Sequence, residues 1–289
     1  APGFLLTAAV GLLTCWLDRK ITARLQWRQG PPWYQPLVDI IKLLGKETII
    51  PEGVSRIIFL GAPLVGLAAV TLVSTMLWQN GFVGDLIVVI YLLTIPSIAL
   101  IIGGSASRNP LSAIGASREM KMILAYELPF ILAIFTVVAK TGSLLLGNIV
   151  SYQAVNGMLL LRPSGLLAFL AVFLVVQAKL SLAPFDIPEA EQEIMAGPYL
   201  EYSGPPLAVF KLTRAMLFFV LPVFLITLFL GGLSGGWLWF LVKYLVLVLL
   251  IVVVRNTNPR LRIDHAVRFF WGPVAVIAVA GFVLAMAGW

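Results

Sequence analysis

Long apolar runs separated by short charged connectors set the pattern of this chain. Runs near residues 3–17, 57–78, 84–104, 121–139, 165–183, 207–230, 236–254 and 267–288 approach the roughly 20 apolar residues (range about 17–25) that carry a helix across a bilayer. They predict eight spans in a single polytopic membrane domain covering 1–289. The runs are long and do not alternate apolar with polar, which excludes a barrel of short strands and makes the fold class all-α. Residues 3–17 could pass for a signal-peptide core, but Asp18-Arg19-Lys20 follows where small residues would mark cleavage, so a first span short of a few N-terminal residues is expected.

The connectors have patterns of their own. In 34–46, Leu37, Ile40, Ile41 and Leu44 share one helical stripe while Asp39, Lys42 and Lys46 fall opposite. This predicts an amphipathic helix in the membrane interface, entered through a Gly30-Pro31-Pro32 turn, and a surface anchor and a protein-docking surface both fit it. The Ser/Arg/Glu/Lys segment 105–121 reads as a second short amphipathic helix. Residues 140–164, with Gly, Asn and Pro, read as a longer connector with an interfacial piece.

Composition narrows the class further. A mean hydropathy of +1.00 with 11% charged residues excludes an ordinary soluble domain. One cysteine, Cys15, and one histidine, His265, exclude a disulfide framework, a cysteine-held cluster and a His-rich metal site. The net charge of +7 reads as a topology signal and not as a nucleic-acid footprint. Arg19, Lys20, Arg24, Arg28, Lys42, Lys46 and Arg56 lie in one connector. Arg108, Arg118 and Lys121 lie in another, and Arg255, Arg260, Arg262 and Arg268 in a third, while the alternate connectors hold little beyond Lys140 and Arg162. The positive-inside bias makes the basic connectors cytoplasmic and both termini extracytoplasmic in a multi-pass protein of the cell (inner) membrane.

On that basic side lies an acidic exception, residues 183–204, "APFDIPEAEQEIMAGPYLEYSG". Asp186, Glu189, Glu191, Glu193 and Glu201 are five of the chain's 13 acids. The four connectors are expected to fold against each other as one charged platform. Asp186-Ile187-Pro188-Glu189 resembles a helix start, with Asp as N-cap, Pro in the first turn and Glu three residues on. Capping leaves Glu191 and Glu193 unexplained, and Glu189 and Glu193 would be like charges at i,i+4. Such a cluster is either a proton-exchanging group, coupled in its titration, or a solvated loop.

Charges inside the apolar runs favour a polar path into the membrane. Glu127 sits in the fourth run before Pro129, Lys179 late in the fifth, Lys211 and Arg214 early in the sixth, and Lys243 inside the seventh. An ionisable group at the bilayer centre costs about 2.5–3.5 kcal/mol on insertion scales, so it normally faces a partner or a wet cavity. Snorkelling accounts for Lys179, Lys211 and Arg214, and poorly for Glu127 and Lys243.

These connectors resemble one family. "PFDIPEAEQEIMAGPYLEYSG" is similar to the Pro-Phe-Asp-Leu-Pro-Glu-Ala-Glu…Glu-Tyr-Ser-Gly segment of the membrane subunit, of the 1/H type, that joins the two arms of respiratory complex I. The same type occurs in the group 4 membrane-bound [NiFe] hydrogenases. "LDRKITARLQWRQGPP", "YQPLVDIIKLLGKE", "REMKMILAYELPF" and "RNTNPRLRIDHAVRFFWG" resemble further segments of it, in order, over residues 18–272.

The resemblance implies eight spans, no catalytic residue and no cofactor in this chain, with iron–sulfur clusters and a NiFe site in partner subunits. Those partners would be hydrophilic NiFe-hydrogenase-like large and small subunits, an iron–sulfur subunit and antiporter-like membrane subunits, in membrane lipid. Asp186, Glu189, Glu191, Glu193 and Glu201 correspond to the family's acidic segment, Glu127 to its fourth-span carboxylate and Glu119 to the acid just before it. With Lys179 and Lys243 these make the expected pathway, and Arg19, Arg24, Arg28, Arg118, Arg255, Arg260 and Arg262 the arm-docking loops. The contracted Gly30-Pro31-Pro32-Trp33-Tyr34-Gln35-Pro36 loop, and Leu-Asp-Arg-Lys in place of Glu-Arg-Lys/Arg, resemble the ferredoxin-linked hydrogenase and sulfur-reducing branch. The equivalent membrane component of a quinone-reducing complex I and a free-standing ion transporter are the alternatives.

Overall fold

The computed structural model describes residues 2–78 and 85–288, so the first residue of the predicted 84–104 span lies outside it. Apart from a single bridge between Asp85 and Leu145, the regular elements among the described residues are helices. In order they are α1 (Pro2–Leu25), α2 (Gln35–Leu44), α3 (Arg56–Trp78), α4 (Leu86–Ala106), α5 (Pro110–Thr141) and α6 (Leu146–Asn156). Then follow α7 (Pro163–Lys179), α8 (Glu191–Ile194), α9 (Gly204–Phe229), α10 (Trp237–Thr257), α11 (Ile263–Phe269) and α12 (Ala275–Met286).

Six of the described helices are long and apolar enough to cross a bilayer: α3, α4, α5, α9, α10 and the continuous run Ile263–Met286. The two remaining predicted spans fall on α7, an apolar helix of 17 residues, and on α1. The 24 residues of α1 carry Asp18, Arg19, Lys20 and Arg24 towards their end.

Local chemistry sets the boundaries. The Asp85 side chain accepts from the Ile87 amide at the start of α4, and Asn109 accepts from Leu111 at 2.9 Å at the start of α5, with Pro110 first in the helix. Gly142, at φ 66°, closes α5 in the left-handed conformation. Between these caps the helix runs without interruption, although Pro129 omits one bond of the ladder, so the separate amphipathic helix expected at 105–121 does not exist. Residues 105 and 106 complete α4, 107–109 link the two helices, and 110–121 are the first turns of α5. At 32 residues α5 is about 48 Å long, well beyond the ~30 Å hydrocarbon core. Its N-terminal turns therefore reach into the connectors.

Helix α9 is the axis of the molecule, buried along most of its length and packed by α1, α2, α3, α7 and α10. A Cβ on Gly11 of α1 would lie 2.4 Å from the Ala215 carbonyl oxygen, so only glycine lets α1 come this close to α9. Helix α5 packs against α4, α7 and α12. Between α11 and α12 the helix widens to a π-turn, Phe270–Val274. It seats the fully buried Phe270 with its ring centroid 4.8 Å from Phe185 of the acidic connector and 6.2 Å from Tyr126 of α5.

Candidate functional site

The four connectors do fold against each other, and ion pairs join them. Arg255 pairs with Asp18, Arg260 with Asp186 at 2.7 Å, Arg118 with Glu193 at 2.5 Å, and Arg214 with Glu189. Asn109 donates to Glu201 at 2.5 Å, Ser203 Oγ accepts from the Ile49 amide at 3.1 Å, and the Leu261 amide donates to the Pro184 carbonyl at 3.0 Å. The connector is also pressed onto α5, where a Cβ at Gly115 would meet Pro198 at 2.5 Å. Tyr202 stacks on Phe59 at 4.1 Å and donates to its carbonyl.

The expected helix start at Asp186 is not formed. Residues 184–190 are non-helical, and only the single turn α8 follows, with Ala190 before it and no side-chain cap. The reason is a competition for the two carboxylates. A cap is worth about 1 kcal/mol, whereas a hydrogen bond to a charged partner contributes about 1.5–3 kcal/mol. Arg260 and Arg214 take Asp186 and Glu189 instead. The expected i,i+4 repulsion of Glu189 and Glu193 does not arise either, because each faces its own arginine. Glu191 alone among the connector's acids makes no side-chain hydrogen bond or ion pair within the described residues.

Deeper in, Lys179 is buried at the end of α7. Its Nζ lies 3.2 Å from Glu127 Oε2 and 3.4 Å from Thr94 Oγ1, and Thr94 also donates to Glu127 at 3.1 Å. The Tyr126 and Phe130 rings flank the ammonium at 4.9 and 4.6 Å, a desolvated cation–π arrangement. Snorkelling does not describe Lys179, whose side chain is 2% exposed. Lys243 stands apart from this group, its Nζ donating to the Leu230 carbonyl at 2.6 Å, at the far end of α9. Arg19 pairs with Asp39 at 3.0 Å and Arg262 with Asp264 at 3.7 Å, both at the surface, and Arg24 and Arg28 are exposed. The interfacial helix expected at 34–46 is α2, with Leu37, Ile41 and Leu44 exposed along one stripe.

Two cavities connect these groups. The inner one, about 30 Å³, is lined by Ser97, Glu119, Lys179, Glu189, Tyr199 and Arg214. Glu119 is buried there with the Ser97 hydroxyl beside it. Burial, and then the charge of Glu189, hold the Tyr199 phenol well above its usual range, so it serves only as a neutral hydroxyl. The outer cavity, about 430 Å³, opens between α1, α2 and α9 and is lined by Cys15, Asp18, Asp39, Glu191, Lys211 and Arg214 among others. Burial opposes ionisation of Asp39, but hydrogen bonds from Arg19 and Gln35, and the charges of Arg19 and Lys211, hold its carboxyl below the usual carboxylate range. A third cleft, about 300 Å³, exposes Arg118, Asp186, Glu193, Arg260, Arg262 and Asp264.

The arrangement is a series of polar groups running from the connectors into the helices: Glu191, Arg214–Glu189, Glu119, and Lys179–Glu127. Asp186, Glu193 and Glu201 are taken up in fastening the connector. Sequence reasoning assigned no place in the site to Thr94, Ser97, Tyr199 or Asp18. Asp18, a charge at the edge of an apolar run, carried a readable signal; the three hydroxyls carried none.

The family model described as NADH dehydrogenase matches residues 3–286. The H-type membrane component of NADH-quinone oxidoreductase from Dehalococcoides mccartyi is 36% identical over 298 aligned residues, covering 98% of this chain and 83% of the relative. Its counterpart from Carboxydothermus hydrogenoformans is also 36% identical, covering 93% and 82%. Among solved structures, a chain of the membrane-bound sulfane sulfur reductase, an archaeal respiratory membrane complex, superposes with a TM-score of 0.90 at 32% identity. The match covers 98% of this chain and 96% of that one.

Proposed function

Because this chain belongs to the NADH dehydrogenase family, as an H-type membrane component of a complex I-like oxidoreductase assembly, we propose that it couples electron transfer in partner subunits to proton or sodium translocation. The branch we propose is the ferredoxin-linked membrane-bound hydrogenase or a sulfur-reducing relative. Near end-to-end coverage of the sulfane sulfur reductase chain supports that branch, against 82–83% of the quinone oxidoreductase relatives, as does the contracted loop at 30–36. The redox cofactors, iron–sulfur clusters and a NiFe or sulfur-reducing centre, belong to hydrophilic partners docked on the platform, which faces the cytoplasm with both termini outside. Antiporter-like subunits receive the ions.

The observation that carries the reading is the pair of buried Lys179 and half-buried Glu127, joined by a polar cavity to the connector on which partners would dock. A change of charge above the platform shifts the balance of Arg214 and Glu189. Protons then redistribute over Glu119 and the Lys179–Glu127 pair, whose partners change strength with each charge gained or lost. Glu127→Gln or Glu191→Gln should leave the complex assembled and its redox reaction running, with ion uptake into inverted vesicles reduced. Undiminished ion uptake in both variants overturns the coupling role. The names of the curated relatives favour a second reading, a quinone-reducing complex. Photo-crosslinking of a quinone analogue to residues 24–46 would establish it.

A further inference from the structure

The inner and outer cavities share two residues, Leu180 and Arg214. Leu180 is the residue after α7, and Arg214 reaches it from α9. The guanidinium is fully engaged on one side: Nη1 donates to Glu189, and Nη2 to the carbonyls of Leu180 and Ser181 at 3.3 and 3.0 Å. A planar fork with donors on two edges fills such a partition in a way a lysine could not. Yet its side chain remains 37% exposed, so it is reachable from the outer cavity. On that side stands Glu191, the connector acid without a side-chain partner among the described residues, separated from Glu189 by Ala190 alone. Glu189 faces the inner cavity and Glu191 the outer one.

We propose that Arg214 is a two-position gate between the cavities, held shut by Glu189 and the carbonyls of residues 180 and 181, and held open by Glu191. In the open position the fork exchanges one carboxylate for another, so neither arginine nor glutamate is left uncompensated except the Glu189 released. That carboxylate then faces the inner cavity beside Glu119, where it can take up a proton. The same movement frees the two carbonyls that follow Lys179, loosening the end of α7 beside the Lys179–Glu127 pair. Arg214 acts through these groups and is a positioning residue. The gate rests on the coupling reading only for what passes through it.

The test uses accessibility, which does not depend on turnover. In the assembled complex in native membranes, Cys15→Ser removes this chain's single cysteine, and Ser97→Cys, its labelling read on this chain alone after the subunits are separated, then reports on the inner cavity. A membrane-impermeant cationic thiol reagent is applied from the platform side. Ser97→Cys should label slowly, and about tenfold or more faster with Arg214→Ala, as expected for removing a closed state that dominates the population. Glu189→Gln should speed labelling and Glu191→Gln should slow it, opposite effects that general loosening would not produce. Unchanged labelling in Arg214→Ala, or acceleration by both glutamine variants, overturns the gate. If Arg214→Ala fails to assemble, the two glutamine variants decide the matter alone. The gate survives, and the coupling reading falls, if labelling responds as described while Glu127→Gln and Glu191→Gln transport ions normally.

Discussion

The two ends of the helix bundle are fastened by different chemistry. At the platform end, four connectors distant in sequence are held by carboxylate–arginine pairs. At the opposite end Gln153 of α6 donates to the Thr227 and Leu228 carbonyls and accepts from the Gly231 amide, and Lys243 donates to the Leu230 carbonyl. Backbone carbonyls cannot change charge, whereas a carboxylate can be protonated and an arginine can change partner. On the proposed function, one end is fixed and the other exchanges. The two buried lysines show the contrast in miniature: Lys179 faces a carboxylate, Lys243 a carbonyl.

Each side of this contrast can be broken separately. The largest effect is expected at Lys179–Glu127, where Glu127→Leu leaves a buried ammonium uncompensated, costing roughly 3–5 kcal/mol. Thermal inactivation of the assembled complex should show it. Adding Lys179→Leu should restore most of the stability while ion transport stays lost, since a well-packed apolar pair replaces a buried ion pair at little cost. Gln153→Ala should cost about 2–3 kcal/mol from its lost bonds, with ions moved per turnover unchanged. Lys243→Met should cost about 1 kcal/mol, also with coupling intact. A loss of ion transport in either would merge the two ends into one pathway.

The smallest effect belongs to Asp39, a surface carboxylate 36% exposed, where Asp39→Asn should cost about 0.2–1 kcal/mol. Its folded-state affinity for protons is lowered, so its contribution is present above the ordinary carboxylate pKa and lost as the pH falls through the carboxylate range. The difference in melting temperature between parent and variant should therefore be measurable at neutral pH and vanish in acid.

Hydrophobic run length made the spans legible, because a bilayer imposes it on every helix alike. The amphipathic stripe of α2 was legible for the same kind of reason, a periodicity. The platform was foreseeable from sign alone, basic connectors and an acidic one on the same side. What failed was local reading inside the acidic connector. Asp186-Ile187-Pro188-Glu189 has the residues of a helix start, but arginines 25 and 74 residues away outcompete the cap. The break between α4 and α5 was written in Asn109-Pro110, a cap followed by a first-turn proline, and was obscured by the charged residues around it. Arg214 read as a snorkelling cation because nothing local reveals that its partner is Glu189. Glu127, by contrast, demanded a partner from its position alone, and Lys179 supplies it.

The Asp18–Arg255 pair also bears on how the protein is made. Its two residues are 237 positions apart, so at about 5–20 residues per second roughly 10–50 seconds of translation separate them. Until α10 leaves the ribosome, Asp18 waits at the membrane surface without its arginine. Asp186 waits likewise for Arg260, on the same late stretch of chain. Two of the platform's ion pairs are therefore missing from every chain that has not reached Arg255, whereas Arg118–Glu193 and Arg214–Glu189 can form earlier, so the platform is fastened in two stages of synthesis.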